Sequence, residues 1–522
     1  MKKTYIVIAS AMLAMSATAQ ETYENARIAT TDLNGTARYV GMGGAMESLG
    51  ADISVISTNP AGLGLSRHSS ISVSAGLQAQ QGVENFGTGK KTNMSFDQAG
   101  FVLAHSNGNK TLNFAFNYHK SRNFDQILQA SDALHNASQN KLSATKGYLG
   151  YLYETNSQGR PDYRNSYLSC NQIDALYASS AYHNFLYDSN SNSWLDTPAT
   201  GYQMDRAQQG YISDFDINLS GGNGRVWLGL TVGIHDVHYS HYSLYQESLR
   251  EYTTGNTYPL AVSDDRKITG QGLDVKAGII FRPIDESPLR FGLSVATPTM
   301  YTLTTSNETA MAIDGKVKKN SDQYKFKLYT PWKFGLSAGY TIGTEWALGL
   351  SYEYADYSST DSRRITDTSY SSWNSSYYEQ SESDTEMNRH TTATLKGVHT
   401  LKAGVELKAT KDLAVRLGYN YVSAMYNKSG FKDGTLQSEG SYYSSSTDFT
   451  NWQATNRLTC GIGYQMDKWN LSLAYQYSTR SGDFYPFMTY IDSEDSDYDN
   501  IAGSVKVSDK RHHVMATLTY TF

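Results

Sequence analysis

"VWLGLTVGIH", residues 226–235, alternates without a break: Val226, Leu228, Leu230, Val232 and Ile234 share one face, and Trp227, Gly229, Thr231, Gly233 and His235 share the other. Period two belongs to an extended strand, whose successive side chains point to opposite faces. One face apolar and the other small or polar is what a barrel wall between lipid and lumen requires. "LNFAFNYH", residues 112–119, repeats the pattern, with Leu112, Phe114, Phe116 and Tyr118 set against Asn113, Ala115, Asn117 and His119. About fourteen such segments follow one another, starting near Ser69, Asp97, Thr111, Gln209, Arg225, Gly272, Leu289, Pro331, Trp346, Thr400, Leu413, Thr455, Trp469 and Arg511. Most match the ~9–11 residues of a tilted spanning strand. An even number also returns the chain to the side on which it began.

Short and long connections alternate. "SNGN" at Ser106, "GGNG" at Gly221, "IGTE" at Ile342, "ATKD" at Ala409 and "MDK" at Met466 are tight-turn sequences. Between them lie the long segments 80–96, 121–208, 241–271, 299–325, 358–399, 425–453 and 479–510. Short periplasmic turns and long extracellular loops are the habit of outer-membrane barrels. The fold class is therefore all-β: a transmembrane antiparallel barrel of about fourteen strands spanning residues 68–522, with outer-membrane lipids as its solvent.

The chain opens with Lys2 and Lys3, an apolar run from Tyr5 to Met15, and Ala17-Thr18-Ala19 before Gln20. Residues 1–19 read as a secretory signal peptide, its apolar run being too short for a spanning helix. The mean hydropathy is -0.50, and no later run of ~18 apolar residues occurs, which excludes a helical membrane protein. Tyrosine is abundant, at 41 residues, as suits rings that sit in headgroup layers. A net charge of -6 gives nucleic-acid binding no electrostatic support. Cys460 lies on an apolar strand face and Cys170 in a long polar segment, so no disulfide is expected.

Chemistry is sparse. "GMGG" and "GLGL" lack the strand-then-helix context of a nucleotide loop. "DFDINLSGGNGR" from Asp214 imitates a calcium loop until Leu219, where glycine is required. His235, His238 and His241 recur every third residue, which puts the middle one on the opposite strand face. No nucleophile with an orienting base is recognisable, so the sequence predicts no enzyme, no cofactor and no metal. The inward faces carry Lys276, Arg290, Lys333, Lys402, Arg416 and Arg457 against Asp216, Asp274, Glu353 and Glu406. Lys276, Arg290, Lys333, Arg416 and Arg457 are the candidates for meeting a carboxylate head group; mutual neutralisation is the simpler reading for any one of them.

"GMGGAMESLGADISVISTNPAGLG", residues 41–64, followed by fourteen candidate strands and "TPWKFGLSAGY" at Thr330, resembles the FadL-like family of outer-membrane transporters of hydrophobic compounds. The glycine-rich start is also similar to related barrels that shuttle proteins in a Bacteroidetes secretion system. The resemblance implies that residues 20–67 fold back into the barrel as a hatch, with Asn59, Pro60, Ala61 and Gly62 as its motif. Proline fixes φ and glycine permits close backbone approach, which suits a compact plug. Within 121–208, "FDQILQASDALHNAS" places Phe124, Ile127, Leu128 and Leu134 near one helical face. The resemblance makes them candidates for an external groove that captures substrate. It further implies a monomer for passive uptake of hydrophobic small molecules such as long-chain fatty acids. "HHVMATLTYTF", residues 512–522, resembles the terminal strand read by barrel-insertion machinery. The alternative is a barrel that docks secreted proteins through its loops. A continuous apolar path would favour transport, and a lumen filled by charge pairs would favour docking.

Overall fold

The computed structural model describes residues 21–148, 172–177, 187–188, 193–194, 197–250, 255–313, 315–371, 376–434, 436, 438, 448–492 and 495–522. The expected signal peptide and Cys170 lie outside the described residues.

Fourteen strands form the wall. They are β1 (Ser70–Gln81), β2 (Thr92–Asn107), β3 (Lys110–Asn123), β4 (Ala199–Gly222), β5 (Val226–Arg250), β6 (Thr257–Phe281) and β7 (Arg290–Ala296). β8 (Lys333–Ile342), β9 (Trp346–Asp356), β10 (Gly397–Lys408), β11 (Leu413–Val422), β12 (Thr455–Met466), β13 (Trp469–Tyr485) and β14 (Val505–Thr521) complete it. Each pairs antiparallel with its neighbours, and β1 closes on β14 from Ser70 opposite Thr521 to Gln81 opposite Lys510. Closure leaves no open edge, the condition for crossing a bilayer with strands. Among the described residues no helix is long and apolar enough to cross one.

The outward face near the short turns is an apolar belt, with Leu228, Leu230, Leu273, Leu293, Leu336, Leu417 and Leu458 all exposed. Aromatic rings mark its short-turn rim: Trp469 lies 4.7 Å from Tyr520, which is 5.1 Å from Phe522. The belt on β5 runs from Val226 to Ile234, the length of a tilted spanning strand. Above it the same strand inverts. Val237, Tyr239, Tyr245 and Leu249 turn inward and are buried, while His238, Gln246, Ser248 and Arg250 face out.

That inversion corrects several expected loops. Segment 241–271 is the continuation of β5 and β6, paired as far as Arg250 opposite Thr257. Segment 299–325 is a hairpin, Met300–Ile313 with Lys316–Tyr329, laid along the upper part of β6. Segment 358–399 contains the strands Asp361–Ser371 and Ser376–Ser383 and the helix Thr385–Thr394. Period two persists in the first two of these stretches, but with apolar residues inside and polar ones outside, so a lipid-facing template passes over them; the strands of the third are polar on both faces. The helix expected around Phe124–Ser138 is also corrected. Gln126–Ala133 is a strand paired with residues 201–208 of β4, and ladder hydrogen bonds there outweigh a weak helical periodicity.

Residues 21–66 lie inside the ring. They form α1 (Thr22–Ala29), α2 (Ala37–Gly41) and two 3-10 turns, Ile53–Ser57 and Pro60–Leu65. Side chains start each turn: Asp52 accepts from the Ser54 N–H at 2.9 Å, and Asn59 from the Ala61 N–H at 3.1 Å, with Pro60 at the first helical position. Such short elements leave backbone groups unpaired, and the inward polar residues of the wall satisfy them. Thr231 donates to the Ile56 carbonyl at 2.9 Å, Asn113 to Leu63 at 2.6 Å, and Thr459 to Gly41 at 3.2 Å.

The wall also yields space. Gly229, Gly278, Gly349, Gly404 and Gly418 face this segment, where a Cβ would overlap Pro60, Asn59, Ala45, Met42 and Gly43 respectively. Several stand opposite one another across the ladder, Gly229 with Gly278 and Gly404 with both Gly349 and Gly418. A collar of small wall residues thus lets backbone pack directly on backbone.

Candidate functional site: a charged luminal chamber

Above the luminal segment is a chamber of about 280 Å³. Its floor is supplied by Thr30, Thr31, Leu33, Asn34 and Tyr39, and Phe124, Tyr301 and Tyr426 stand in its sides. Higher up, Leu128, Leu134, Tyr202, Tyr245, Leu260 and Phe484 join an apolar cluster inside the extended strands.

The chamber is markedly cationic on one side. Arg122 and Arg457 approach the same oxygen of Asp32 at 2.9 and 3.3 Å. Arg480 and Arg511 grip Asp509, each at 2.9 Å. Four guanidinium groups therefore share two carboxylates. Lys120 adds an ammonium that donates to the Ser95 hydroxyl at 2.8 Å, and Lys333 also lines the chamber, with no carboxylate in salt-bridge range among the described residues. Burial pushes the Asp32 carboxyl up, but Arg122, Arg457 and Arg511 overcome it and hold the group below the usual carboxylate range.

The five luminal candidates all face inward and divide into two levels. Lys276, Lys333 and Arg457 line the chamber. Lys276 is fully engaged, 3.1 Å from both Asp216 and Asp274. Arg290 and Arg416 sit beside the luminal segment: Arg290 donates to the Leu49 carbonyl at 3.1 Å, and Arg416 to Glu406 at 2.6 Å. Lys402 is likewise paired, 2.8 Å from Glu47. The four groove candidates are buried rather than exposed. Phe124 packs edge-on to Tyr239 with ring centres 5.0 Å apart, and Leu128 and Leu134 belong to the inner apolar cluster. Ile127 is buried too, its N–H donating to Gln80 at 2.8 Å. Asn59, Pro60, Ala61 and Gly62 lie in the luminal segment against β5 and β6, near the short turns.

Arg122, Arg480 and Asp509 escape the sequence reading for two reasons. The register of β3 against β4 shifts between Lys120 and Arg122, and this bulge turns Arg122 into the lumen against strand parity. Arg480 and Asp509, paired across β13 and β14, lie in a stretch expected to be loop.

A second cavity of about 380 Å³ opens below α2, lined by Thr36, Arg38, Asp52, Glu406 and Arg416. Arg38 clasps Glu406 through two bonds of 2.8 and 2.9 Å. Tyr39 faces the upper chamber and Arg38 the lower cavity, so α2 is the partition between them.

No family model matches the chain, and no curated protein matches it in sequence. Solved structures do match. A FadL homologue of Pseudomonas aeruginosa superimposes with a TM-score of 0.50 at 12% identity, covering 95% of this chain and 100% of that one. The chain has the FadL-like fold. The Pseudomonas putida toluene transporter TodX matches at TM-score 0.48 and 11% identity, and the Ralstonia pickettii toluene transporter TbuX at 0.46 and 10%, each covering 94% of this chain and 99% of its own. A FadL-like fold whose closed ring carries a lipid-facing belt is a multi-pass barrel of the outer membrane.

Proposed function

We propose that this FadL-like barrel is a plugged channel for passive uptake of small hydrophobic molecules that carry an anionic head, long-chain fatty acids among them. Residues 20–67 are its hatch, hinged on the Asn59-Pro60 turn. The observation that carries the reading is the chamber itself. Cationic groups outnumber the carboxylates that neutralise them around Arg122, Arg457, Arg480 and Arg511, beneath an apolar interior that suits a hydrocarbon tail. Lys333 and Arg457 are the head-group contacts among the luminal candidates. The fold shared with the FadL homologue lends support.

The test is binding of palmitate and of its methyl ester to the purified barrel, followed by fluorescence displacement. Palmitate should bind more tightly than the ester, and Lys333→Gln with Arg457→Gln should remove that preference. Equal affinity for acid and ester would reject the anionic-head assignment.

A second reading, a docking or shuttle component for secreted proteins, is favoured by a different observation. The lower lumen is filled with pairs such as Glu47 with Lys402 and Arg38 with Glu406, and paired strands rise well beyond the belt. A barrel that stays closed to ions after loss of its hatch and binds neither palmitate nor ester would support docking.

A further inference from the structure

Four adjacent strands bring a second constellation to the chamber wall. His119 on β3 stands opposite Asp214 on β4, which stands opposite His235 on β5. One step lower, Asn117 faces Asp216, which faces Gly233, and Gly233 faces Asp274 on β6. All are buried side chains or, at Gly233, the space that a side chain would fill.

The two β4 carboxylates are each held by one oxygen. Oδ1 of Asp214 accepts from the Ser121 hydroxyl at 2.7 Å and lies 2.7 Å from His235 Nδ1. Oδ1 of Asp216 accepts from Lys276 at 3.1 Å. Both Oδ2 atoms turn toward His119, at 3.7 Å from its Nε2 and 3.6 Å from its Nδ1, beyond hydrogen-bond reach. His119 Nδ1 and Asp216 Oδ2 are buried and have no hydrogen-bond partner. A buried imidazole nitrogen and a buried carboxylate oxygen left bare, side by side, each carry an unrepaid desolvation penalty unless something sits between them.

One ligand atom from each of His119, Asp214 and Asp216 falls within 4.8 Å of the others. Bonds of ~2.0–2.2 Å to one ion place such atoms a little closer together than this, within reach of small side-chain rotations. The charges agree. Three carboxylates, Asp214, Asp216 and Asp274, face the single ammonium of Lys276 and the ring of His235, which lies 2.7 Å from Asp214 and 3.0 Å from Asp274.

We propose that His119, Asp214 and Asp216 bind a first-row divalent metal ion, best fitted by Zn²⁺. One nitrogen and two oxygens suit a borderline ion, and three protein ligands leave a fourth position open. His119 and Asp214 both line the chamber, so that position faces the cargo space. His235, Ser121 and Lys276 orient the carboxylates from behind, as partners of metal ligands do.

The test uses the full-length mature chain without a histidine tag, purified in detergent and stripped with a chelator. Zn²⁺ alone is titrated by calorimetry and Co²⁺ alone by its visible absorption. Wild type should bind about one ion per chain. His119→Gln and Asp216→Asn should each abolish binding, and His235→Gln should weaken it ~10–100-fold. Heat-shifted gel migration of the folded barrel controls for misassembly. Where a variant fails that control, X-ray absorption at the zinc edge of wild type must still report imidazole and carboxylate ligands. A wild type that takes up no ion, variants that bind as well as wild type, or a zinc edge without imidazole would each overturn the site.

Discussion

The lower and upper halves of β5 obey the same alternation and put it to opposite use. From Val226 to Ile234 the apolar side faces lipid and the inner side is small or polar, because the lumen there is filled by chain that needs hydrogen-bond partners. From Asp236 upward the apolar side turns inward, because the exterior is water and the strands must make a core of their own. The lower half is thus stabilised by what surrounds and fills it, the upper half by itself.

Deleting residues 20–67 breaks that difference most directly. The lower half loses its filling while the wall keeps its ladder, so the barrel should still insert and conduct in a planar bilayer many-fold more than the intact chain. A truncated barrel that inserts and conducts no better would show that residues 21–66 do not close the passage.

Charge on the outer face distinguishes the halves next. Leu230→Arg should cost ~2–4 kcal/mol at mid-membrane, whereas His238→Arg on the same face of the same strand should stay within ~0.5 kcal/mol. Urea unfolding in lipid vesicles measures both; similar losses would place the lipid boundary above Ile234.

A smaller effect is expected from the glycine collar. Gly404→Leu sets a side chain against Met42 and should displace the segment without opening the ring. Conductance intermediate between intact and truncated chains is the expected result, and unchanged closure would mean the collar is not a seat.

The smallest effect is expected from acid. Asp32 is held below its ordinary value by Arg122 and Arg457, so its contribution is complete above the unfolded pKa of ~3.9 and is lost as pH falls through the lower folded value. Hydrogen exchange of residues 21–34 should rise only below that point, and Asp32→Asn should remove the dependence. A rise already present between neutral pH and ~5 would assign it to another group.

How legible the protein was in its sequence follows the same division. The belt strands announce themselves because lipid imposes a strict rule on residues such as Leu228 and Phe114. Tyr245 and Leu249 obey period two as faithfully, yet they fall in the expected loop 241–271, because their apolar face points the other way. Parity puts Lys276, Lys333 and Arg457 on inward faces, and they line the chamber, while Arg122 is hidden by a bulge that parity cannot anticipate. His119, Asp214 and Asp216 come from separate stretches, and only the β3–β4 register brings them together. In sequence Asp214 and Asp216 imitate a calcium loop, a local arrangement, whereas their companion stands on the neighbouring strand.

The length of β5 has a consequence for where the protein meets its surroundings. Its 25 residues rise from Val226 to Arg250, and the part above Ile234 climbs ~40 Å at ~3.3 Å per residue and a tilt of ~40°. The outer rim therefore stands as a turret above the lipid, clear of the headgroups. The first contact of any visitor, whether small molecule, phage or antibody, is with polar hairpins at that height rather than with the membrane from which the barrel grows.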